Sequence, residues 1–586
     1  MKKIIALIPL LLSINFNSFS DKKPLQESYP VDPASVKQTG VPEGVITQYK
    51  FKGSKIFPGT ERDYWVYVPA QYKKETPAAL MVFQDGKNFS NVKRPSKMPI
   101  VFDNLIHSKE MPVTIAVCIN PGVVPVVKEG TQPRYNRSYE YDGMGADYAK
   151  FLNEEILPEV EKNYNISQDP NARGISGSSS GAIAAFNAAW YGEDTFRRVY
   201  TIVGTFVGLR GGDGLPTLIR KLEPKPIRIF LQDGSNDNNL YGGSWWDMNR
   251  AMVGSFKFSG YEMDYEWGEG GHNQKHGAAI FPKAMRYIWK DYPKPVTTHY
   301  ENSMSKSLKM LIENEKWELV SEGHGLTEGP AVNEKGDLFF TDLGKSKIHK
   351  VNKEGKVSTF VEESGGTNGL AFGPDGLLYG ARRDAQQIVA WDANGKMKVV
   401  TKGVKPNDLV VSHEGVIYFT EPKTKTLWMV KKDGTRVVAD YCGFSCNGVM
   451  LSADQSRLFV ADYGGRFVYT YQLKADGGVA HKQAYFHLHI PVNGSRSKAD
   501  GMAVDQSGWL FTATEMGVQI SDQPGRVHLI LPPPKGSSQI TNVTFGGEKW
   551  DTLYITCGDG KVFKRKTNLV GALAWKAPIK LDKPRL

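Results

Sequence analysis

One pattern restricts the fold of this chain more than any other: from about residue 314 onward it repeats itself. Each unit opens on a polar residue, continues with apolar residues, passes a Gly/Asp turn and ends in a short strand-like run. The openings are Glu328 (Glu-Gly-Pro-Ala-Val), Asn368 (Asn-Gly-Leu-Ala-Phe), Asn407 (Asn-Asp-Leu-Val-Val), Asn447 (Asn-Gly-Val-Met-Leu), Asp500 (Asp-Gly-Met-Ala-Val) and Asn542 (Asn-Val-Thr-Phe). They stand 40, 39, 40, 53 and 42 residues apart. A period of this length made of short strands predicts propeller blades, because a lone four-stranded sheet cannot cover its own faces and its neighbours must do so. Six openings predict an all-β six-bladed propeller over residues 314–578, with a tail at 579–586. A plain β-sandwich would not repeat the same polar opening six times.

The first half follows different rules. Between residues 45 and 294, apolar runs at 79–83, 113–117, 200–203 and 227–231 alternate with helical stretches at 147–162, 180–190 and 246–258. That alternation predicts a mainly parallel sheet with helices on both faces. Residues 295–313 lose apolar periodicity and read as a linker. A chain of 586 residues is in any case too long for one core.

The N-terminus carries Lys2-Lys3, an apolar run at 4–12 and small polar residues at 13–20. This is the pattern of an export leader, so residues 1–20 are expected to direct the chain to a periplasmic or secreted location, followed by an arm at 21–44. The run is too short to span a bilayer, and no later segment is long and apolar enough, so stable membrane insertion is not expected. Net charge is +11, but the basic residues are scattered among acidic ones, which argues against a nucleic-acid partner. No protein partner is evident. Four cysteines, at 118, 442, 446 and 557, are too few for a disulfide scaffold. Cys442 and Cys446 could close a small loop in an oxidising compartment; the equal reading is four small buried residues.

Chemistry is signalled most sharply at Gly177-Ser178-Ser179-Ser180-Gly181. A serine nucleophile needs an exposed position on a sharp strand-to-helix turn, hence glycines two residues either side. Residues 171–177 lead in and the alanine-rich run from Ala182 supplies the helix. The acid and the histidine should follow in that order. Asp237, in the loop after the run at 227–231, is assigned as the acid, with Asp233 as the alternative or as a turn brace. His272 follows a glycine loop (Gly268-Glu269-Gly270-Gly271) and is assigned as the base; His276 is the alternative. The Ser180 amide and the loop at Gly86 are the expected oxyanion donors. Tyr141, Tyr241, Trp245 and Trp246 are candidates to stack a sugar or phenolic acid, with packing an equal reading for each.

Phe83-Gln-Asp-Gly-Lys-Asn-Phe89, Asn136-Arg-Ser-Tyr-Glu-Tyr-Asp142, Phe151-Leu-Asn-Glu-Glu-Ile-Leu-Pro158, Arg173-Gly-Ile-Ser-Gly-Ser-Ser-Ser-Gly181 and Gly268-Glu-Gly-Gly-His272 together resemble the esterase D group, which includes enterochelin, feruloyl and acetyl-xylan esterases. The resemblance covers nearly all of residues 45–294. It implies an α/β-hydrolase fold and ester hydrolysis without a cofactor, and leaves the acyl group open.

In a propeller the inner strand of each blade lines the channel, so the six opening residues could converge there. Two carboxylates among amides form an oxygen-rich set suited to a hard cation, Ca²⁺ first and Mg²⁺ or Zn²⁺ after it. The competing reading is that Asn/Asp-Gly only turns the chain into each blade. Glu328-Gly-Pro, Pro406-Asn407-Asp408, Cys446-Asn447-Gly448 and Asp500-Gly-Met resemble, in order, the gluconolactonase, senescence-marker protein and luciferin-regenerating enzyme family. That resemblance implies metal ligation by Glu328, Asn447 and Asp500, with Asp500 also assisting an attacking water. It implies that Asn407 binds substrate or a metal-bound water; Asn368 is a further expected substrate contact. Lys405 stands where some members carry arginine, which leaves substrate preference open. The joint expectation is an exported hydrolase of carbohydrate or phenolic esters and of sugar lactones. The alternative is a single-activity serine esterase whose propeller only binds carbohydrate or scaffolds.

Overall fold

The structure is a computed structural model that describes residues 27–192 and 194–584. The expected leader at 1–20, and the start of the arm after it, lie outside the described residues.

The first half is built on one ten-stranded sheet. Six strands run parallel in the order Met263–Gly268, Arg228–Gly234, Arg198–Ile202, Arg173–Ser178, Ala79–Gln84, Thr114–Ile119. Glu61–Val68 and Val45–Lys52 add antiparallel edges. Five of the parallel strands are buried at every position. A parallel sheet covered on both faces requires this, which is why the runs at 79–83, 113–117 and 227–231 show no alternation. Met263–Gly268, half-buried at the edge, carried no such signal. The stretch expected as one helix over 147–162 is α-helical at Asp147–Phe151 and Leu157–Glu161, with a π turn at Leu152–Ile156 between them. Pro158 has no amide to donate, and the widened turn precedes it.

The second half is a six-bladed β-propeller. Blade one is Thr327–Val332, Leu338–Asp342, Lys347–Val351 and Val357–Val361; the next three blades follow the same antiparallel order. Blade five gains a short fifth strand, Gly571–Ala572. In blade six the early strand Glu318–Ser321 pairs with Val562–Lys566, so the start and end of the repeat close the ring together. All six opening residues stand at or beside the start of an inner strand.

The wide spacing before Asp500 also has a cause. Blade four ends in a long hairpin, Phe467–Leu473 with Val479–His487, followed by a loop at 488–499. That loop reaches the first half: His489 Nε2 lies 2.8 Å from Lys221 Nζ, and Asn493 Nδ2 donates to the Met144 carbonyl at 3.1 Å. Nearby, Arg565 of blade six forms a two-pronged ion pair with Glu223, both bonds at 2.7 Å. The helix Leu215–Lys221 packs against the strand Val527–Leu531, and one buried apolar cluster runs from Leu218 and Ile219 to Val527 and Ile530. Residues 295–313, expected as a plain linker, are docked as well, with Val296, Leu308 and Leu311 buried. Their apolar residues are too few and too irregularly spaced to show a period, yet these three are packed away while Met304 stays exposed. The tail is likewise held, by the Ile579 amide on the Ala453 carbonyl.

Candidate active sites

Ser179, Asp237, His272 and Gly86 each follow the C-terminal end of a parallel strand, where such sheets bind ligands. Ser179 leaves the strand Arg173–Ser178 with φ 59° and ψ −125° and is followed at once by the helix Ser180–Tyr191. A non-glycine residue at positive φ is a strained arrangement that the surroundings must hold. Here the Ser179 amide donates to the Ile202 carbonyl at 2.9 Å. A Cβ on Gly177 would lie 2.2 Å from the Gly181 carbonyl oxygen, so the turn closes only around glycine. The Ser180 amide stands at the first helical position, where the helix itself supplies no acceptor.

Ser179 Oγ lies 2.8 Å from His272 Nε2, and His272 Nδ1 lies 2.6 Å from Asp237 Oδ1. Asp233, the alternative acid, is wholly buried beside Asp237. Burial, reinforced by the Asp237 carboxylate, pushes the Asp233 carboxyl up to about 9. Asp233 therefore holds its proton at neutral pH while Asp237 faces the imidazole. His276, the alternative base, is buried elsewhere: its Nδ1 accepts from Gln232 Nε2 at 3.2 Å and its ring stacks on Tyr29 at 4.3 Å. The arm also steadies the His272 loop directly, since Glu27 accepts from Asn273 Nδ2 at 2.8 Å.

Gly86 sits in the turn after Ala79–Gln84, pressed so closely on Cys118 that a Cβ would meet its carbonyl carbon at 2.2 Å. Asp85, beside it, is held by Arg137 through bonds of 2.8 and 2.9 Å, and a Cβ on Gly181 would lie 3.2 Å from its carboxylate.

One expected substrate contact is corrected. Tyr141 is fully buried, with its hydroxyl donating to the Ile119 carbonyl and accepting from the Asp85 amide, so it is a packing residue beneath the elbow. Trp246 packs edge-on against Trp267 at 4.9 Å. Adjacent helical residues point about 100° apart, and it is Trp245 that approaches the His272 ring, at 5.8 Å. Trp245 Nε1 donates to Thr205 Oγ1, which lies 3.2 Å from Ser179 Oγ. Thr205 and Arg137 had no motif role that singled them out, and Tyr241 is almost fully exposed.

In the propeller, the glycines after the opening residues explain why the openings repeat. A Cβ on Gly369 would lie 2.3 Å from Asp408 Oδ1, on Gly448 2.1 Å from the Asp500 carbonyl oxygen, and on Gly501 1.8 Å from the Asn542 side chain. These glycines let neighbouring inner strands meet around the axis, which displaces the reading of Asn/Asp-Gly as a simple turn. In the third unit the glycine position holds Asp408 instead, so a third carboxylate enters the axis; Asp408 was not among the expected ligands. Glu328, Asp408 and Asp500 are all buried. Burial and mutual repulsion raise Glu328 to about 7, burial raises Asp408 to about 7, and burial followed by both neighbouring charges holds Asp500 well above the carboxylate range. Asn542 Nδ2 donates to Glu328 Oε2 at 3.2 Å, and the buried Oδ1 of Asn447 has no protein partner. Three buried carboxylates with an unsatisfied amide oxygen fit a hard divalent cation, and Glu328, Asn447 and Asp500 are all among them. Asn368 is buried in the same ring, Asn407 is half-buried, and Lys405 is exposed with its amide donating to Glu421. Residues 572–575 line the far end of the channel.

The Esterase family model matches residues 54–285, and the model of the SMP-30/gluconolactonase/LRE-like region matches residues 326–559. The gluconolactonase of Zymomonas mobilis is 25% identical over 285 residues, covering 42% of this chain and 80% of that protein. The pentonolactonase XacC of Haloferax volcanii is 23% identical over 244 residues, covering 40% and 82%. Among solved structures, a gluconolactonase of Xanthomonas campestris aligns with a TM-score of 0.41 at 22% identity, over 45% of this chain and 93% of its own. The chain thus joins an esterase-like N-terminal region to a gluconolactonase-like propeller.

Proposed function

We propose that this chain is an exported carboxylic-ester hydrolase with two centres: a serine esterase on an α/β-hydrolase domain and a metal-dependent lactonase on the propeller. Sugar-derived esters and lactones are its substrate class. The observation that carries the reading is the continuous relay from Ser179 through His272 to Asp237, with contacts of 2.8 and 2.6 Å.

In the esterase centre, His272 Nε2 takes the Ser179 hydroxyl proton as Oγ attacks the ester carbonyl carbon. Asp237 holds the Nδ1 proton and steadies the imidazolium. The amides of Ser180 and Gly86 receive the developing oxyanion. His272 returns its proton to the departing alcohol oxygen, leaving an acyl group on Ser179. Water, deprotonated by the same Nε2, then releases the acid and restores the hydroxyl.

In the propeller, Glu328, Asn447 and Asp500 are the residues that would hold a divalent cation, Ca²⁺ by the hardness of their oxygens, with Asp408 beside them. Such an ion, when bound, supplies electrophilic polarisation of a lactone carbonyl. The chain's own residues do the rest. Asp500 accepts a proton from the attacking water, Asn407 orients the ring oxygens, and the exposed Lys405 is the cation offered to polar substituents.

One panel tests the whole reading: aryl ester and sugar lactone hydrolysis by wild type, Ser179→Ala and Asp500→Asn, with and without chelator. Loss of ester turnover alone in the first variant, and of lactone turnover alone in the second, is the expected result. Intact lactone turnover in Asp500→Asn under chelation would leave an esterase with a propeller that only binds carbohydrate.

A further inference from the structure

A second cluster of ligating side chains lies on the propeller, apart from the oxygen-rich channel set. His324, Asp342 and His349 present one ligand atom each, all within 4.8 Å of one another. Asp342 is wholly buried at the end of the strand Leu338–Asp342. Its Oδ1 accepts from the Gly325 and Lys345 amides at 3.1 and 3.0 Å. Its Oδ2 is buried without a hydrogen-bond partner and faces both imidazoles, 3.3 Å from His324 Nδ1 and 3.9 Å from His349 Nε2. His349, about nine-tenths buried, leaves that Nε2 equally unpartnered. Buried polar atoms in folded proteins almost always find a partner, so two orphans aimed at one point require an explanation.

We propose that His324, Asp342 and His349 form a transition-metal site of the Zn²⁺ class that ties the closing strand of the propeller ring to its first blade.

The donor set is the first argument. Two imidazoles and a carboxylate are borderline ligands that select Zn²⁺, Co²⁺ or Fe²⁺ over the hard cations suited to an all-oxygen cage. The spacing is the second. Ligands held about 2.0–2.1 Å from a tetrahedral ion stand roughly 3.3 Å apart; the His324–Asp342 pair already does, and His349 needs only a small approach. Third, the outer nitrogen of His324 is held at 2.7 Å by Ser321 Oγ, the kind of outer contact that fixes a ligating imidazole. Burial lowers the pKa of both histidines, which keeps them in the neutral form that ligates. The placement suggests the role. Ser321 ends the blade-six strand Glu318–Ser321, His324 lies in the turn after it, and Asp342 and His349 belong to blade one. Elsewhere this junction is closed by strand pairing, so an ion here would lock the ring where it was joined.

The test uses untagged full-length protein, stripped with chelator and reloaded with Zn²⁺ or Co²⁺ in the presence of excess Ca²⁺. One Zn²⁺ per chain is expected in wild type and in Asp500→Asn, with a rise in Tm on loading. In Co²⁺ protein the intense visible bands of a four-coordinate nitrogen-oxygen site are expected, distinct from the weak bands of an oxygen-only octahedral site. His349→Gln and His324→Gln should lose the ion, the bands and the Tm rise together. His324→Gln, in a turn rather than a buried strand, keeps the test open should the other variant fold poorly, and Ser179 ester turnover reports folding in both. Equal Zn²⁺ uptake and unchanged Co²⁺ bands in a folded variant, or no stoichiometric uptake by wild type, would overturn the site. Loss of lactone turnover on stripping, without these signatures, would speak only to the channel.

Discussion

Asp237 receives His272 Nδ1 at 2.6 Å on one side and lies against the protonated Asp233 on the other. The end of the strand Arg228–Gly234 and the loop after it therefore bring two carboxyls together, and it is Asp237 that meets the imidazole. Asp237→Asn should keep the geometry but offer His272 an amide, cutting kcat on an aryl acetate about 10⁴-fold. Ser179→Ala should cut it at least as far, on the order of 10⁶-fold. Stopped-flow or steady-state assays at mildly alkaline pH check both, and retention of more than a percent of wild-type turnover by Ser179→Ala would remove Ser179 as nucleophile.

Asp233 carries its own prediction. Its carboxyl is raised to about 9, chiefly by burial, so the folded chain binds a proton there that the unfolded chain has released. Stability contributed by this proton is complete below the ordinary carboxylate range and declines as pH rises toward 9. The slope from this group is at most about 1.4 kcal/mol per pH unit. Asp233→Asn copies the neutral form and should flatten the decline while leaving ester turnover near wild type. Denaturant melts at pH 6 and pH 9 give the measurement; an unchanged slope would place Asp233 in its ionised form.

In the channel, Glu328 and Asp408 are raised to about 7, Glu328 by burial and repulsion and Asp408 by burial, with Asp500 held well above the carboxylate range. Without a cation, stability from these protons is full at acid pH and falls as pH rises through 7. A cation must displace them, so Ca²⁺ should bind more tightly at pH 8 than at pH 6 and release protons as it does. Calorimetry in two buffers of different ionisation enthalpy detects the release. At 100 times its Kd the ion should stabilise the fold by about 2.7 kcal/mol, an effect expected to vanish in Glu328→Gln and Asp500→Asn.

What the sequence revealed depended on whether physics acts locally. The repeat openings were legible because several inner strands approach their neighbours so closely that only glycine fits after the opening residue, as at Gly369, Gly448 and Gly501. The serine turn was legible because φ 59° at Ser179 can form only between glycines that clear Gly181 and Gln84. Tyr141 was misread because chemistry alone does not tell which way an aromatic points; its complete burial decides it. Asp408 was hidden in plain view, as the one unit where a carboxylate replaces the glycine. Thr205 reaches its place from a loop far from the elbow in the chain and no local pattern marks it, whereas Arg137 stands in a motif that carries the esterase resemblance but assigns it no role.

Among the contacts that couple the two halves, Arg565 and Glu223 form two bonds of 2.7 Å where exposure of the guanidinium is almost nil. Burial opposes ionisation of Glu223, yet the Arg565 bonds and charge hold its carboxyl below the usual range. Removing one member of such a pair leaves an uncompensated buried charge, at a cost of about 3–5 kcal/mol. Arg565→Ala should therefore destabilise the chain by that amount and loosen the join, separating its unfolding into two transitions if the blade-four loop contacts and the shared apolar cluster cannot hold the halves without the ion pair. The double variant Glu223→Leu with Arg565→Met keeps bulk without charge and should recover most of the loss. Calorimetric melts of the two single variants and the double variant complete the cycle. A single unshifted transition in Arg565→Ala would mean that the shared apolar cluster around Leu218, Ile219, Val527 and Ile530 suffices to bind the halves.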